Sequence, residues 1–316
     1  MTVTRTAPAG VIQGSSPSHG ENRLSGGAPI PFETRPAFAS SWITPERCPE
    51  DEVVARYEVE GVPVTVLSPR GASCGAYIVA PPEYGMNPRQ VRVLTDAMEE
   101  IRRTGLMGEG APSLSLMRSQ IWHRAKDMTY ASLARLADER HGEGLERQAD
   151  RLADVVCKYT AGFGVLETML RDPLVQDVYV DAPSGQVPVQ VVLRSDTGAC
   201  VRQKCRTNVF VGARDLQAFV SRVKYETGLA FSEAVPVLEA DLRDLSSRVT
   251  LVSPPLSDRG VSVAIRRHSR ETWSMPRLIA NGSLTPLLSA FLWACAIGRR
   301  AVLVAGSRGA GKTTLL

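Results

Sequence analysis

Gly306-Ser307-Arg308-Gly309-Ala310-Gly311-Lys312-Thr313-Thr314-Leu315-Leu316 spells the phosphate-loop pattern G-x-x-x-x-G-K-[ST] in full, and the chain is read outward from it. Glycines at these positions let the backbone turn tightly, so that successive N–H groups face one anion. The helix that follows then begins with its positive dipole end toward that anion. In such a loop Gly306, Ser307, Arg308, Gly309, Ala310, Gly311 and Thr314 surround the phosphates of ATP. Lys312 reaches the β- and γ-phosphates, and the Thr313 hydroxyl ligates Mg²⁺. The flanks suit this reading. Ala301-Val302-Leu303-Val304-Ala305 is the short apolar run expected of a strand in a parallel sheet, and residues 313–316 can open a helix.

A nucleotide-binding α/β domain needs several more strands to close its sheet, and the acidic groups that serve Mg²⁺ and the attacking water lie on later ones. The expectation is therefore a fragment that ends inside its motor domain. Composition supports an ordinary globular protein of two or three domains: 316 residues, 43% apolar, 22% charged. A net charge of +4, without a clustered basic stripe, gives no ground for a direct nucleic-acid partner. The six cysteines lack a C-x-x-C or Cys/His pairing, and Cys200 with Cys205 is their one close pair. The first forty residues hold no apolar signal core, and Leu287 to Ile297 is too short to span a bilayer. A cytoplasmic location without a transmembrane segment follows.

In chain order, residues 1–48 are rich in Pro, Gly, Ser and Thr and read as a disordered leader. Residues 49–105 read as a small α/β module: two paired strands around Tyr57 to Val66, a third from Gly75 to Ala80, and a helix after Asn87-Pro88. Residues 106–160 read as a helical hairpin, from Arg118 to His141 and from Leu145 to Tyr159, separated at Gly142-Glu143-Gly144. Residues 161–268 alternate helix and strand, with a clear helix over 212–227 and strands over 248–252 and 260–266. Residues 269–299 are a linker and helix, and 300–316 start the loop-bearing core.

Ahead of the loop stands a basic cluster, Arg243, Arg248, Arg266 and Arg267, among Glu239, Asp241, Asp244 and Asp258. In the second strand of the pair, Val261, Val263 and Ile265 take one face, so Ser262, Ala264 and Arg266 share the other. Only one of Arg266 and Arg267 can face a given partner. A guanidinium suits charge on a transferring phosphoryl group because it is always protonated and offers a planar fork of donors. Composition alone favours surface ion pairs with the nearby carboxylates. Arg308 can touch phosphate oxygens or a neighbouring subunit, or be solvated. His268 follows the arginine strand and reads as an exposed or structural residue.

Several stretches together resemble one family, the ring-forming ATPases of type II and type IV secretion systems, type IV pili and the archaeal flagellum motor. They are Leu170-Arg171-Asp172-Pro173 through Asp181, Asp241-Leu242 with Ser246-Ser247-Arg248-Val249, Pro254-Pro255-Leu256, Val263-Ala264-Ile265-Arg266-Arg267, and Gly282-Ser283-Leu284. The loop, with Tyr159 to Glu167, looks most like archaeal members. The likeness runs from about residue 150 to 316. Ser246 stands where the family pattern has glycine. The fold implied is α/β, with N-terminal α/β modules followed by the first strand and phosphate loop of a RecA-like motor domain that is cut short. The resemblance also implies a homohexameric ATPase on the cytoplasmic side, attached peripherally through a polytopic inner-membrane platform protein. Its work would be assembly of a pilus-like fibre or protein secretion, with ATP and Mg²⁺ as cofactors and Arg248 and Arg266 near the nucleotide. Two other readings compete: a DNA-translocating ATPase of conjugation or uptake, and a truncated, non-enzymatic docking or regulatory copy.

Overall fold

The computed structural model describes residues 11–13, 22–23, 29–30, 34–45, 48–104, 114–136, 142–194, 204–243, 245–268, 273–307 and 311–315. The chain divides into two compact units, Met1–His268 and Ser269–Leu316.

In the first unit nine strands share one sheet: β1 (Val53–Val59), β2 (Val62–Leu67), β3 (Gly75–Val79), β4 (Val175–Val180), β5 (Gln190–Leu193), β6 (Lys204–Thr207), β7 (Val237–Leu242), β8 (Ser247–Val252) and β9 (Ser262–Arg267). Their order across the sheet is β7-β8-β9-β4-β5-β6-β3-β2-β1. Neighbours run antiparallel except β6 and β3, which run parallel with Cys205 opposite Gly75 and Thr207 opposite Tyr77. This pairing corrects the expected modular boundary near residue 105, because the first three strands continue the sheet built by the later six. A hydrophobic alternation states which face a strand buries and leaves its partner open, so the long-range join had no local signature.

One face of the sheet is packed. Val178, Val249, Leu251, Val263 and Ile265 form a core with Leu216, Phe219 and Val223 of helix α5 (Ala213–Thr227). Gly228 takes a left-handed conformation at φ 68° to end that helix, and its N–H donates to the Lys224 carbonyl. Helices α1 (Pro88–Thr104), α2 (Leu114–Leu136) and α3 (Gly142–Thr160) pack around Val91, Leu94, Met98, Ile121, Ala125, Leu152 and Val156. Gly142-Glu143-Gly144, expected as a break, opens α3, since burial of Ala149 and Leu152 outweighs two poor helix formers in the first turn.

The expected leader does not extend unstructured to residue 48. Asp215, in the first turn of α5, accepts from the Ser41 N–H at 2.9 Å and the Ser41 hydroxyl at 2.7 Å, while the Ser40 hydroxyl accepts the Asp215 N–H at 2.9 Å. Ser41 is buried, and Trp42 stacks on Phe210 at 5.6 Å. Composition there was polar because serines supply the partners for a helix end.

A short helix, α4 (Leu166–Arg171), leads into β4 and stops at Asp172. That carboxylate is fully buried. It accepts the Tyr57 hydroxyl at 2.7 Å, the Tyr77 hydroxyl at 2.6 Å and the Leu174 N–H at 2.8 Å. Just upstream, Gly162 admits no side chain: an added Cβ would come within 2.6 Å of the Lys158 carbonyl oxygen and 2.1 Å of Glu167 Oε2.

The second unit holds α6 (Met275–Ala280), α7 (Pro286–Ile297) and the single turn α8 (Lys312–Leu315). Thr285 caps α7, its hydroxyl accepting the Leu288 N–H at 3.2 Å, with Pro286 in the first turn. Residues 301–305, expected as a strand, pair with no strand among the described residues, and Leu303 is 91% exposed. An apolar run becomes a strand only through ladder partners, and none of the described residues of this unit supplies one.

Candidate functional site

The expected site residues fall in both units. In the second, Gly311 takes φ 76°, a left-handed turn with open space where a Cβ would stand. The next residue begins α8, and the Lys312 ammonium turns back to donate to the Gly306 carbonyl at 2.9 Å and the Ser307 carbonyl at 2.7 Å. The lysine charge therefore lies over the first two residues of the motif instead of pointing away from it. An ammonium whose acceptors among the described residues are main-chain oxygens suits a phosphate-bearing ligand, which can take over as acceptor. Arg308, Gly309 and Ala310 lie outside the described residues, as does the side chain of Thr313. The helix that Thr314 continues is in place. Among the described residues no group of three His, Cys, Asp or Glu side chains could hold a metal ion.

In the first unit the register brings the two predicted arginines together. Asp241 stands opposite Arg248 across β7 and β8, Arg248 opposite Arg266 across β8 and β9, and Arg266 opposite Asp177 across β9 and β4. Directly opposed residues share a face with their Cβ atoms about 4.5–5.5 Å apart. The result is one transverse row, acid–arginine–arginine–acid, on the face opposite the packed core. Arg248 is 59% and Arg266 74% exposed at the side chain. Arg248 Nε donates to Asp241 Oδ1 at 3.1 Å, and Arg266 Nε lies 3.9 Å from Asp177 Oδ1. His268 Nε2 lies 3.3 Å from the same Asp241 oxygen. The bond from Arg248, and then that from His268, holds the Asp241 carboxyl below the usual carboxylate range.

Arg267 has the other fate. Its Nη1 donates to the Asp172 carbonyl and, at 3.4 Å, to the Val175 carbonyl, tying the end of β9 to the start of β4. Of the adjacent arginines, only Arg266 faces outward. Ser246 adopts φ 45° in the turn that feeds β8, and its carbonyl accepts the His268 N–H at 2.8 Å. The strained turn thus sets the positions of both Arg248 and His268.

Sequence reasoning missed a second polar cluster. A cavity of about 1270 Å³ is bounded by the β1–β2 turn, residues 82–86, the helices α2 and α3, and α4. Its charged walls are engaged with one another. Lys158 pairs with Glu83 at 2.7 Å, while Arg118 at 2.5 Å and Arg171 at 2.9 Å converge on Glu167. Burial pushes Glu167 up, but the Arg118 bond and charge, the Phe163 N–H and the charge of Arg171 together leave it below its usual range. These bonds join the helical bundle to the sheet, and the i, i+4 spacing of Glu167 and Arg171 was the one local hint of them.

No protein-family model matches the chain. Over 172 residues, 53% of this chain, it is 30% identical to an uncharacterized protein of Methanocaldococcus jannaschii, of which the match spans 23%. Over 160 residues, 49% of this chain, it is 28% identical to proteins of Mycobacterium tuberculosis named for conjugal transfer, of which the match spans 43%. The VirB11 ATPase of the Brucella suis type IV secretion system, solved in complex with sulphate, is 25% identical; the match spans 48% of each chain at a TM-score of 0.29. The chain thus spans less than half the length of these curated relatives. No helix among the described residues is long and apolar enough to cross a membrane.

Proposed function

We propose that this chain is part of an ATP-binding motor related to the type IV secretion ATPases, working on the cytoplasmic side as a homohexameric ring against a polytopic membrane partner. The observation that carries the reading is the complete loop motif from Gly306 to Thr313, with the Lys312 ammonium folded over its first turn. Lys312 would hold the β- and γ-phosphates of ATP, and the Thr313 hydroxyl its Mg²⁺. ATP hydrolysis would supply the work. Arg248 and Arg266 would meet phosphoryl oxygens with their charge, which their direct opposition on one exposed face supports.

Assembly of a pilus-like fibre or protein secretion is the leading form of this reading. The mycobacterial relatives named for conjugal transfer favour a second, DNA translocation. The test is titration of a fluorescent ATP analogue with Mg²⁺ into the protein and into Lys312→Ala. Loss of at least about tenfold in affinity is expected, because a charge-assisted phosphate contact disappears. Unchanged affinity removes the loop from the function. Added single-stranded or duplex DNA that tightens binding of the ATP analogue to the wild type would move the reading to translocation.

A further inference from the structure

Arg248 donates to Asp241 through Nε, the inner edge of the guanidinium, at 3.1 Å, Arg266 has Nε as its nearest nitrogen to Asp177, an ion pair at 3.9 Å, and the two acids stand at the two ends of the row. Among the described residues, no hydrogen bond involves the terminal nitrogens of Arg248 and Arg266, so the Nη forks of two directly opposed residues keep their donors for a ligand. An ordinary surface ion pair uses the arginine's charge; here the acid takes one edge and leaves the fork that matches a tetrahedral oxyanion. Asp241 is itself held from a second side by His268, whose N–H is fixed to the turn at Ser246. Asp177 is only 15% exposed at its side chain and so is confined between its neighbours.

We propose that Asp241 and Asp177 are positioning residues that aim Arg248 and Arg266, as one clamp, at a single phosphoryl group. The inference rests on the reading that this row meets the phosphates of a nucleotide, and it assigns a role to two acids that the family likeness leaves as neighbours. It also predicts an effect opposite in sign to simple electrostatics. Removing a carboxylate raises the local positive charge and should tighten binding of any polyanion to an unstructured basic patch. If the carboxylate orients the fork, its loss weakens binding in spite of the added charge, because the freed side chain recovers its rotamer entropy.

The experiment titrates inorganic tripolyphosphate into the full chain carrying Lys312→Ala, so that the loop lysine makes no contribution, and compares Asp241→Ala, Asp241→Asn, Asp177→Asn, Arg248→Ala and Arg266→Ala. Circular dichroism melts check that each variant is folded; exposed Asp241 tolerates substitution, and its two replacements guard against a local artefact. Each acid variant is expected to bind roughly fivefold more weakly, and each arginine variant at least as weakly as that. Tighter or unchanged binding in the Asp241 variants, with loss in the arginine variants, overturns the positioning role and leaves the phosphate reading standing. Unchanged binding in both arginine variants, or no measurable binding by the parent chain, overturns that reading and the proposal with it.

Discussion

Replacing Asp172 by Ala removes the acceptor of three donors at once: the hydroxyls of Tyr57 and Tyr77 and the N–H of Leu174. Tyr77 is fully buried, so its hydroxyl has no route to water. Burial first, and then the charge of Asp172, pushes both phenols well above their usual range, so they remain donors at any working pH. A buried donor left without a partner costs about 1–3 kcal/mol. Counting Tyr77 in full and the half-buried Tyr57 and Leu174 in part, the loss is about 3–5 kcal/mol, or a fall in Tm on the order of 10 °C for a unit of this size. The Arg267 contact survives, because it is made to the main-chain carbonyl of Asp172. The assay is urea and thermal unfolding followed by tryptophan fluorescence, with Trp273 and Trp293 changed to Phe so that Trp42 and Trp122 report the first unit. In a Tyr57→Phe, Tyr77→Phe background the same substitution should cost about 2–3 kcal/mol less, since no hydroxyl is orphaned. An equal cost in both backgrounds, or a total below about 1 kcal/mol, refutes the assignment of this carboxylate as the shared acceptor.

Ser246→Gly should raise stability by about 0.5–1 kcal/mol, since a left-handed residue with a Cβ costs about 1–2 kcal/mol and glycine's larger unfolded-state entropy takes back part of it; a melt with no gain would show that the turn is unstrained. Stability should also fall in acid. The folded Glu167 carboxyl sits below its ordinary value of 4.5, so its contribution is present above that value and is lost as pH falls through the folded one. Unfolding measured from pH 6 to pH 3 should therefore decline more steeply for the wild type than for Glu167→Gln, and parallel profiles would deny Glu167 this part.

Much of the first unit was legible before its structure. The period of Leu216, Phe219 and Val223 and the stop at Gly228 marked α5, and the alternation through Val263 and Ile265 put Arg266 on the face opposite them. The helix after Asn87-Pro88 ends, as expected, at Thr104. Strand β6 was missed because Lys204-Cys205-Arg206-Thr207 is short and half charged; only its place between β5 and β3 makes it a strand. The opposition of Arg248 and Arg266 was equally out of reach, since register depends on the length of the loop between two strands and not on either strand alone. Residues 301–305 failed in the reverse direction, their composition being right for a strand while the ladder is missing from the described residues. In the candidate site, the lysine could be named from the motif, but the Nε-side grip of Asp241 on Arg248 and the ion pair of Asp177 with Arg266 are matters of geometry that composition reports only as nearby charges.

The parallel join of β3 to β6 bears on how the molecule can be divided. A cut near residue 150, where the family likeness begins, would strip three strands from Lys204–Thr207 and leave a rim of free amides and carbonyls in the middle of what was a continuous layer. Such a piece would seek replacement strands from its neighbours, so its self-association would report the three missing strands and not a native ring. Any measurement of oligomeric state therefore has to retain the chain from Val53 onward.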